Sequence, residues 1–221
     1  MKRTLILDFG GVISKTLFET HDKSEAALGL PIGTLGWNGP FDVSMDDLWR
    51  SMQAGEITER EYWLTRAKEV GDLIGENWTS LPPFLNAVRG DDPAAVIRPE
   101  ALTAIKAAKN AGCGLAILSN ELDLFYGKDF RTKLPFLADF DLIVDATYTG
   151  ILKPDPRAFS FIFDGLSVEP KDCVFVDDQM KNIRGADDCG MQTVPFDVVR
   201  PKQSFERALS LLLGTMEPTN D

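Results

Sequence analysis

From about residue 96 onward, short apolar runs alternate with helix-like segments, and this alternation constrains the fold more than any other feature of the chain. The runs are 114–118 (GLAIL), 141–145 (DLIVD), 173–176 (CVFV) and 191–195 (MQTVP), each followed by polar or turn residues. Parallel strands need a crossover, usually a helix, so this order predicts a βαβ succession and a parallel sheet. Residues 98–112 (RPEALTAIKAAKNAG) read as one such helix. Pro99 fits its first turn, Leu102 and Ile105 fall on one face, and Gly112 ends it. A further apolar run, residues 5–7, predicts a strand far upstream of the others.

Between that strand and the series, residues 16 to about 90 carry helical periodicity, many acidic side chains and no strand-like run. In SMDDLWRSMQAG, Ser44 and Asp47 have capping-box spacing, Leu48 and Met52 form a stripe, and Gly55 is the stop. TEREYWLTRAKEVG repeats the device with Thr58, Glu61 and a stop at Gly71, and the preceding GLPIGTLGWNGPFD reads as an irregular loop. The expected architecture is α/β. A Rossmann-like parallel-sheet core flanked by helices (1–15 and 91–221) is interrupted after its first strand by an all-helical cap domain (16–90). The tail, GTMEPTND, is expected to fray.

With 44% hydrophobic and 26% charged residues the composition is that of a soluble globular protein. A net charge of −11 repels polyanions and argues against nucleic acid or an anionic membrane as partner, while leaving small anionic substrates open where a site is locally positive. Cys113, Cys173 and Cys189 are odd in number and lack metal-ligand spacing, which favours a reducing cytoplasm. The apolar stretch in MKRTLIL is too short for a signal sequence, and no stretch approaches the ~18–20 apolar residues of a membrane span. Oligomeric state is left open.

Ligands of an open parallel sheet sit beyond the carboxyl ends of its strands. The residues there are Asp8 after the first strand, Ser119 and Asn120 after GLAIL, and Asp177 and Asp178 after CVFV, with Lys153 in the loop TGILKPDPRAF. Singly, each has a local explanation. Asp8 would form a turn, Ser119 and Asn120 would cap a helix, Lys153 would be solvated, and Asp178 would be the N-cap of QMKNIRGADD. Together, each at a strand end, they nominate one site.

The chain resembles the haloacid dehalogenase superfamily, most of whose members are phosphatases, in its branch with a helical cap inserted after the first strand. LILDFGGV is similar to the first motif, ILSN to the second, LKPDPRAF to the third, and VFVDDQMKNIRGADDCGM to the long and specific fourth. The resemblance implies that Asp8 is a nucleophile, that Ser119, Asn120 and Lys153 hold the transferred group, and that Asp177 and Asp178 serve a magnesium ion. Charge agrees independently. Asp8, Asp177 and Asp178 converging in a cleft carry −3, and Lys153 leaves −2 uncompensated, a cluster too costly to desolvate without a cation. Mg²⁺, which takes one or two carboxylates with waters and phosphate oxygens, suits this inventory. Gly10 and Gly11 let the backbone approach closely, and the Gly10 carbonyl is a further candidate ligand.

Gly10 is also a departure. Phosphatases of this kind usually carry a second aspartate there, acting as general acid and base, help worth about 10²–10⁴ in rate. Four explanations are consistent with the change. The substrate has a good leaving group, such as a sugar 1-phosphate or acyl phosphate; His21 or Glu121 substitutes; the leaving group is a halide, as in the dehalogenases; or the protein binds phosphate esters without turnover. A dehalogenase needs only Asp8 and a lysine, so the extra strand-end carboxylates favour a metal-dependent phosphatase acting on a small phosphorylated metabolite through an aspartyl-phosphate. Trp37, Asn38 and Phe41 either line a specificity pocket in the cap or, for the two aromatics, anchor their loop. Trp49, Tyr62 and Trp63 are expected to pack.

Overall fold

The computed structural model describes residues 3–89, 92–120 and 122–215. Strand β1 (Thr4–Leu7) is followed by helices α1 (His21–Leu28), α2 (Asp47–Gln53), α3 (Glu59–Ile74) and α4 (Leu81–Arg89). The chain then runs through α5 (Pro99–Asn110), β2 (Gly114–Ser119), α6 (Leu122–Tyr126), β3 (Leu142–Asp145), α7 (Ala146–Thr149) and α8 (Pro156–Leu166). Strand β4 (Cys173–Asp177), α9 (Met180–Asp188), β5 (Gln192–Pro195) and α10 (Pro201–Leu213) complete it. Two compact units result. One comprises Met1–Lys15, Ile97–Leu124 and Lys128–Asp221; the other comprises Thr16–Val96 with Phe125–Gly127.

The first unit holds the five strands in the order β3-β2-β1-β4-β5, every pair parallel. Strands β1, β2 and β4 are buried at every residue, as continuous apolar runs must be in a sheet covered on both faces. On one face Ile6, Ala116, Leu118 and Phe175 meet Phe159 and Ile162 of α8 and Ile183 of α9. On the other, α5 packs on β2, and α10 on β4 and β5. Strand order reverses beside β1, which opens the crevice of a doubly wound sheet between the carboxyl ends of β1 and β4. Helix α5 starts at Pro99 as expected, but its buried stripe is Ala101, Ala104, Ile105 and Ala108, and Leu102 is exposed. Leu102 stands about 100° around the helix from Ala101, off the stripe that the alanines define.

The second unit is helical, with a core that includes Trp37, Trp49, Met52, Tyr62, Trp63, Phe84 and Val88. The capping box of α3 forms, with the Thr58 N–H donating to Glu61 Oε2 (2.7 Å) and the Glu61 N–H to Thr58 Oγ1 (3.2 Å). The helix passes through Gly71 and stops at Gly75, which is left-handed (φ 78°). Gly71 is needed for a different reason: a Cβ there would lie 2.5 Å from the Glu76 carbonyl oxygen, where the chain folds back. The cap of α2 is Asp46, not Ser44, whose hydroxyl donates to Asp42 instead (2.6 Å). Asp46 wins because it is buried among donors: the Trp49 and Gly39 N–H groups (2.9 and 3.1 Å), the Tyr62 hydroxyl (2.9 Å) and Arg66 Nη2 (2.6 Å). Burial pushes its pKa up, but these donors outweigh burial and hold it below the usual carboxylate value. No described helix is long and apolar enough to cross a membrane.

Candidate active site

Asp8 continues β1, and its N–H donates to the Val176 carbonyl (2.9 Å), which ties it to the end of β4. The chain then turns sharply through Gly10 (φ −67°, ψ 128°) and Gly11 (φ 78°, ψ −27°). Only glycine takes the second of these without strain. A Cβ on Gly11 would lie 2.5 Å from Asp178 Oδ2, so the missing side chain is the space that the Asp178 carboxylate fills.

At the end of β4, Asp177 is fully enclosed. Its oxygens accept from Lys153 Nζ (2.7 Å), from Asn182 Nδ2 (3.0 and 3.1 Å) and from the Gln179 N–H (2.8 Å). The same ammonium lies 2.9 Å from Asp8 Oδ1. Asp8, Asp177 and Asp178 each present an oxygen within 4.8 Å of the others. The Asp8 pKa is raised to about 7: burial drives it up most, Lys153 pulls it down and Asp177 adds to the rise. Burial also opposes the charge of Lys153, but Asp177 and Asp8 outweigh it and keep the ammonium protonated. Three carboxylates against one ammonium leave a charge of −2, and the residues present fit an oxygen-liganded divalent ion in place of the proton that Asp8 would otherwise take up.

Buried Ser119 closes β2. Asn120, beyond it, turns its side chain to the main chain of Lys153: Oδ1 accepts the Lys153 N–H (2.7 Å) and Nδ2 donates to the Lys153 carbonyl (3.2 Å). Its side chain therefore orients the lysine. Glu121 lies outside the described residues.

The remaining candidates belong to the helical unit. His21 opens α1, with its ring edge-on to Trp37 (4.7 Å between centroids) and Nε2 buried without a hydrogen-bond partner. Burial lowers its pKa against the pull of Glu25 and Asp22. Trp37 is a core residue, edge-on to Phe18 (5.8 Å) and Trp63 (5.7 Å), and it also borders a cavity of about 270 Å³ with Leu35, Met45, Arg66 and Val70. Asn38 is half-buried and donates to the Gly36 carbonyl (3.4 Å), whereas Phe41 is exposed. Trp49, Tyr62 and Trp63 are buried, as expected.

Three contributors were absent from the sequence reading. Asn182 braces Asp177 from the first turns of α9. Arg98, fully buried before α5, donates through Nε and Nη2 to the Gly11 carbonyl (3.2 and 3.0 Å). Asp145 ends β3, and the strand-end rule that nominated Asp8 and Asp177 would have found it too.

Comparison with known proteins shows the family of the chain. The haloacid dehalogenase-like hydrolase family matches residues 2–190. Bifunctional epoxide hydrolase 2 of Rattus norvegicus is 30% identical over 98% of this chain, which spans 40% of that protein's length. Other curated relatives include phosphatases and a haloacid dehalogenase. Among solved structures, L-2-haloacid dehalogenase from Xanthobacter autotrophicus is similar in fold (TM-score 0.60, 18% identity, 99% of this chain and 85% of that one). So is a family enzyme from Bacteroides thetaiotaomicron solved with magnesium and inorganic phosphate (TM-score 0.51, 18% identity, 90% and 96%). With a match over most of its length, and acidic residues gathered where the sheet reverses order, the chain belongs to the haloacid dehalogenase-like hydrolase family.

Proposed function

We propose that the chain is a magnesium-dependent phosphatase acting on a small phosphorylated metabolite. The observation that carries this reading is the convergence of Asp8, Asp177 and Asp178 within 4.8 Å around a single lysine. Asp177 already accepts from Lys153, Asn182 and Gln179, so Asp8, Asp178 and the Gly10 carbonyl are the groups assigned to hold the ion. When bound, Mg²⁺ supplies charge that screens the anionic nucleophile from the anionic substrate. The similar fold from Bacteroides thetaiotaomicron, solved with magnesium and inorganic phosphate, supports the choice of magnesium and phosphate chemistry.

Lys153 holds one oxygen of Asp8, and the carboxylate attacks phosphorus in line with the leaving oxygen. A P–O bond to Asp8 forms as the bond to the leaving group breaks. The Ser119 hydroxyl, the Asn120 main-chain N–H and the Lys153 ammonium stabilise the equatorial oxygens. Water then attacks the aspartyl-phosphate, releasing inorganic phosphate and restoring Asp8. Gly10 has no side chain with which to protonate the leaving oxygen, so the reading favours phosphorylated compounds with a better leaving group than a simple alkoxide, such as acyl phosphates or sugar 1-phosphates. Selection among them is assigned to the helical unit as a cap.

Gly10 also suits a second reading, halide release by a dehalogenase, which needs no acid. Activity of wild type and Asp8→Asn against phosphate esters and 2-haloacids, with and without Mg²⁺, separates the two. Magnesium-dependent phosphate release abolished in Asp8→Asn supports the phosphatase; halide release without metal and without phosphatase activity reverses it. Ligand-induced thermal stabilisation with neither product identifies a binder.

A further inference from the structure

We propose that Asp145 is a positioning residue that sets the loop carrying Ser119 and Asn120, acting through main-chain N–H groups just beyond them. The inference rests on the phosphatase reading for its consequence, because that reading makes this loop the cradle of the transferred phosphoryl group. Its geometry stands by itself.

Strand register places Asp145 directly beside Ser119. The Asp145 side chain is 2% exposed, and its carboxylate accepts from both chain segments that leave the sheet there. Oδ1 takes the N–H of Leu122 (3.2 Å) and of Thr147 (2.9 Å); Oδ2 takes the N–H of Asp123 (2.8 Å) and Arg131 Nη2 (2.9 Å). A residue needed only to start α7 would require the Thr147 contact alone. The two bonds to Leu122 and Asp123 do something else: they hold residues 122 and 123, the start of α6, against the end of β3, two and three positions past Asn120. The front of the loop is fixed by Asn120, clasped to the main chain of Lys153. The loop is thus held at two points, one from each neighbouring segment of the site.

A buried carboxylate serves this purpose only if its charge is balanced. Arg131 provides the balance and extends the brace, because its Nε also donates to Asp123 Oδ1 (2.6 Å), while the Tyr148 hydroxyl donates to Asp123 Oδ2 (2.6 Å). None of these bonds involves Asp8, Asp177 or Asp178. The network should therefore govern the phosphoryl subsite and leave the metal subsite alone.

The test uses the full chain with Asp145→Ala, and with Asp145→Asn, which keeps the shape and one oxygen, should the alanine variant fail to fold. Amide hydrogen exchange over residues 119–124 should quicken about tenfold, matching the loss of charge-assisted bonds, with β1 and β4 unchanged. With saturating Mg²⁺, affinity for inorganic phosphate by calorimetry should fall about tenfold, while Mg²⁺ affinity stays within about twofold of wild type. Unchanged exchange over 119–124 overturns the proposal. So does a parallel loss of phosphate and Mg²⁺ affinity, which would mark a merely structural residue. If wild type binds no phosphate at all, the phosphatase reading fails, and the exchange measurement alone decides the role of Asp145.

Discussion

Gly11→Ala is a sharp test of the acidic site, because the structure separates its two costs. The first is backbone strain: φ is 78°, where a residue with a Cβ loses about 1–2 kcal/mol. The second is steric. The new Cβ would lie 2.5 Å from Asp178 Oδ2, whereas a carbon and an oxygen sit comfortably at about 3.3–3.6 Å. Asp178 must therefore withdraw by about 1 Å, a loss of ligand placement of the kind that costs about 10–100-fold in metal affinity. Gly112→Ala is the control, since it has nearly the same φ (76°) and nothing within 4 Å of its Cβ, and so carries strain alone. Without metal, Gly112→Ala should lose about 1–2 kcal/mol in urea unfolding, and Gly11→Ala at least as much. Adding Mg²⁺ at 100 times the wild-type Kd should stabilise wild type and Gly112→Ala by about 2.7 kcal/mol, but Gly11→Ala, with its Kd up to about a hundredfold weaker, by as little as about 0.4 kcal/mol. If Gly11→Ala gains as much from Mg²⁺ as Gly112→Ala does, Asp178 is not a ligand and the argument fails.

Three further outcomes follow from the same geometry. Gly10→Asp should restore a proton donor and raise turnover of alkyl phosphates by about 10²–10⁴, with little change for aryl phosphates of low leaving-group pKa; an equal gain across a leaving-group series would show that wild type already has an acid. Asp46→Asn should cost about 1–3 kcal/mol at pH 7, measured by urea unfolding, because it removes the charge-assisted bond to Arg66 while Arg66 keeps its pair with Glu69. Asp46 titrates below its ordinary 3.8 in the folded chain, so its stabilising effect is complete above that value and lost as pH falls through the depressed one. Wild type should then lose more stability than Asp46→Asn on going from pH 5 to pH 2, and equal losses would refute the assignment.

What could be read along the chain, and what could not, divides on a physical line. A strand end is a one-dimensional fact in a parallel sheet, so Asp8, Ser119 and Asp177 could be placed at one rim from apolar runs and the crossover rule alone. The choice of partner is not such a fact. Asn120 stood at the right place, yet its side chain serves the Lys153 main chain, a pairing that depends on how two loops far apart in sequence approach one another. Ser44 and Asp46 both had capping chemistry, and burial against Tyr62 and Arg66 selected the second. Gly71 looked like a stop by type, while Glu76, folding back over it, made it a contact. Asp145 closes an apolar run, so the strand-end rule reaches its position, but its role is not legible there because its partners are main-chain N–H groups, which leave no mark in side-chain composition. The residues that face a ligand are thus announced by where strands end, whereas what Asp145, Asn182 and Arg98 hold in place depends on partners that only the folded chain brings together. Register then supplies the partner, as Ser119 lies beside Asp145 across β2 and β3.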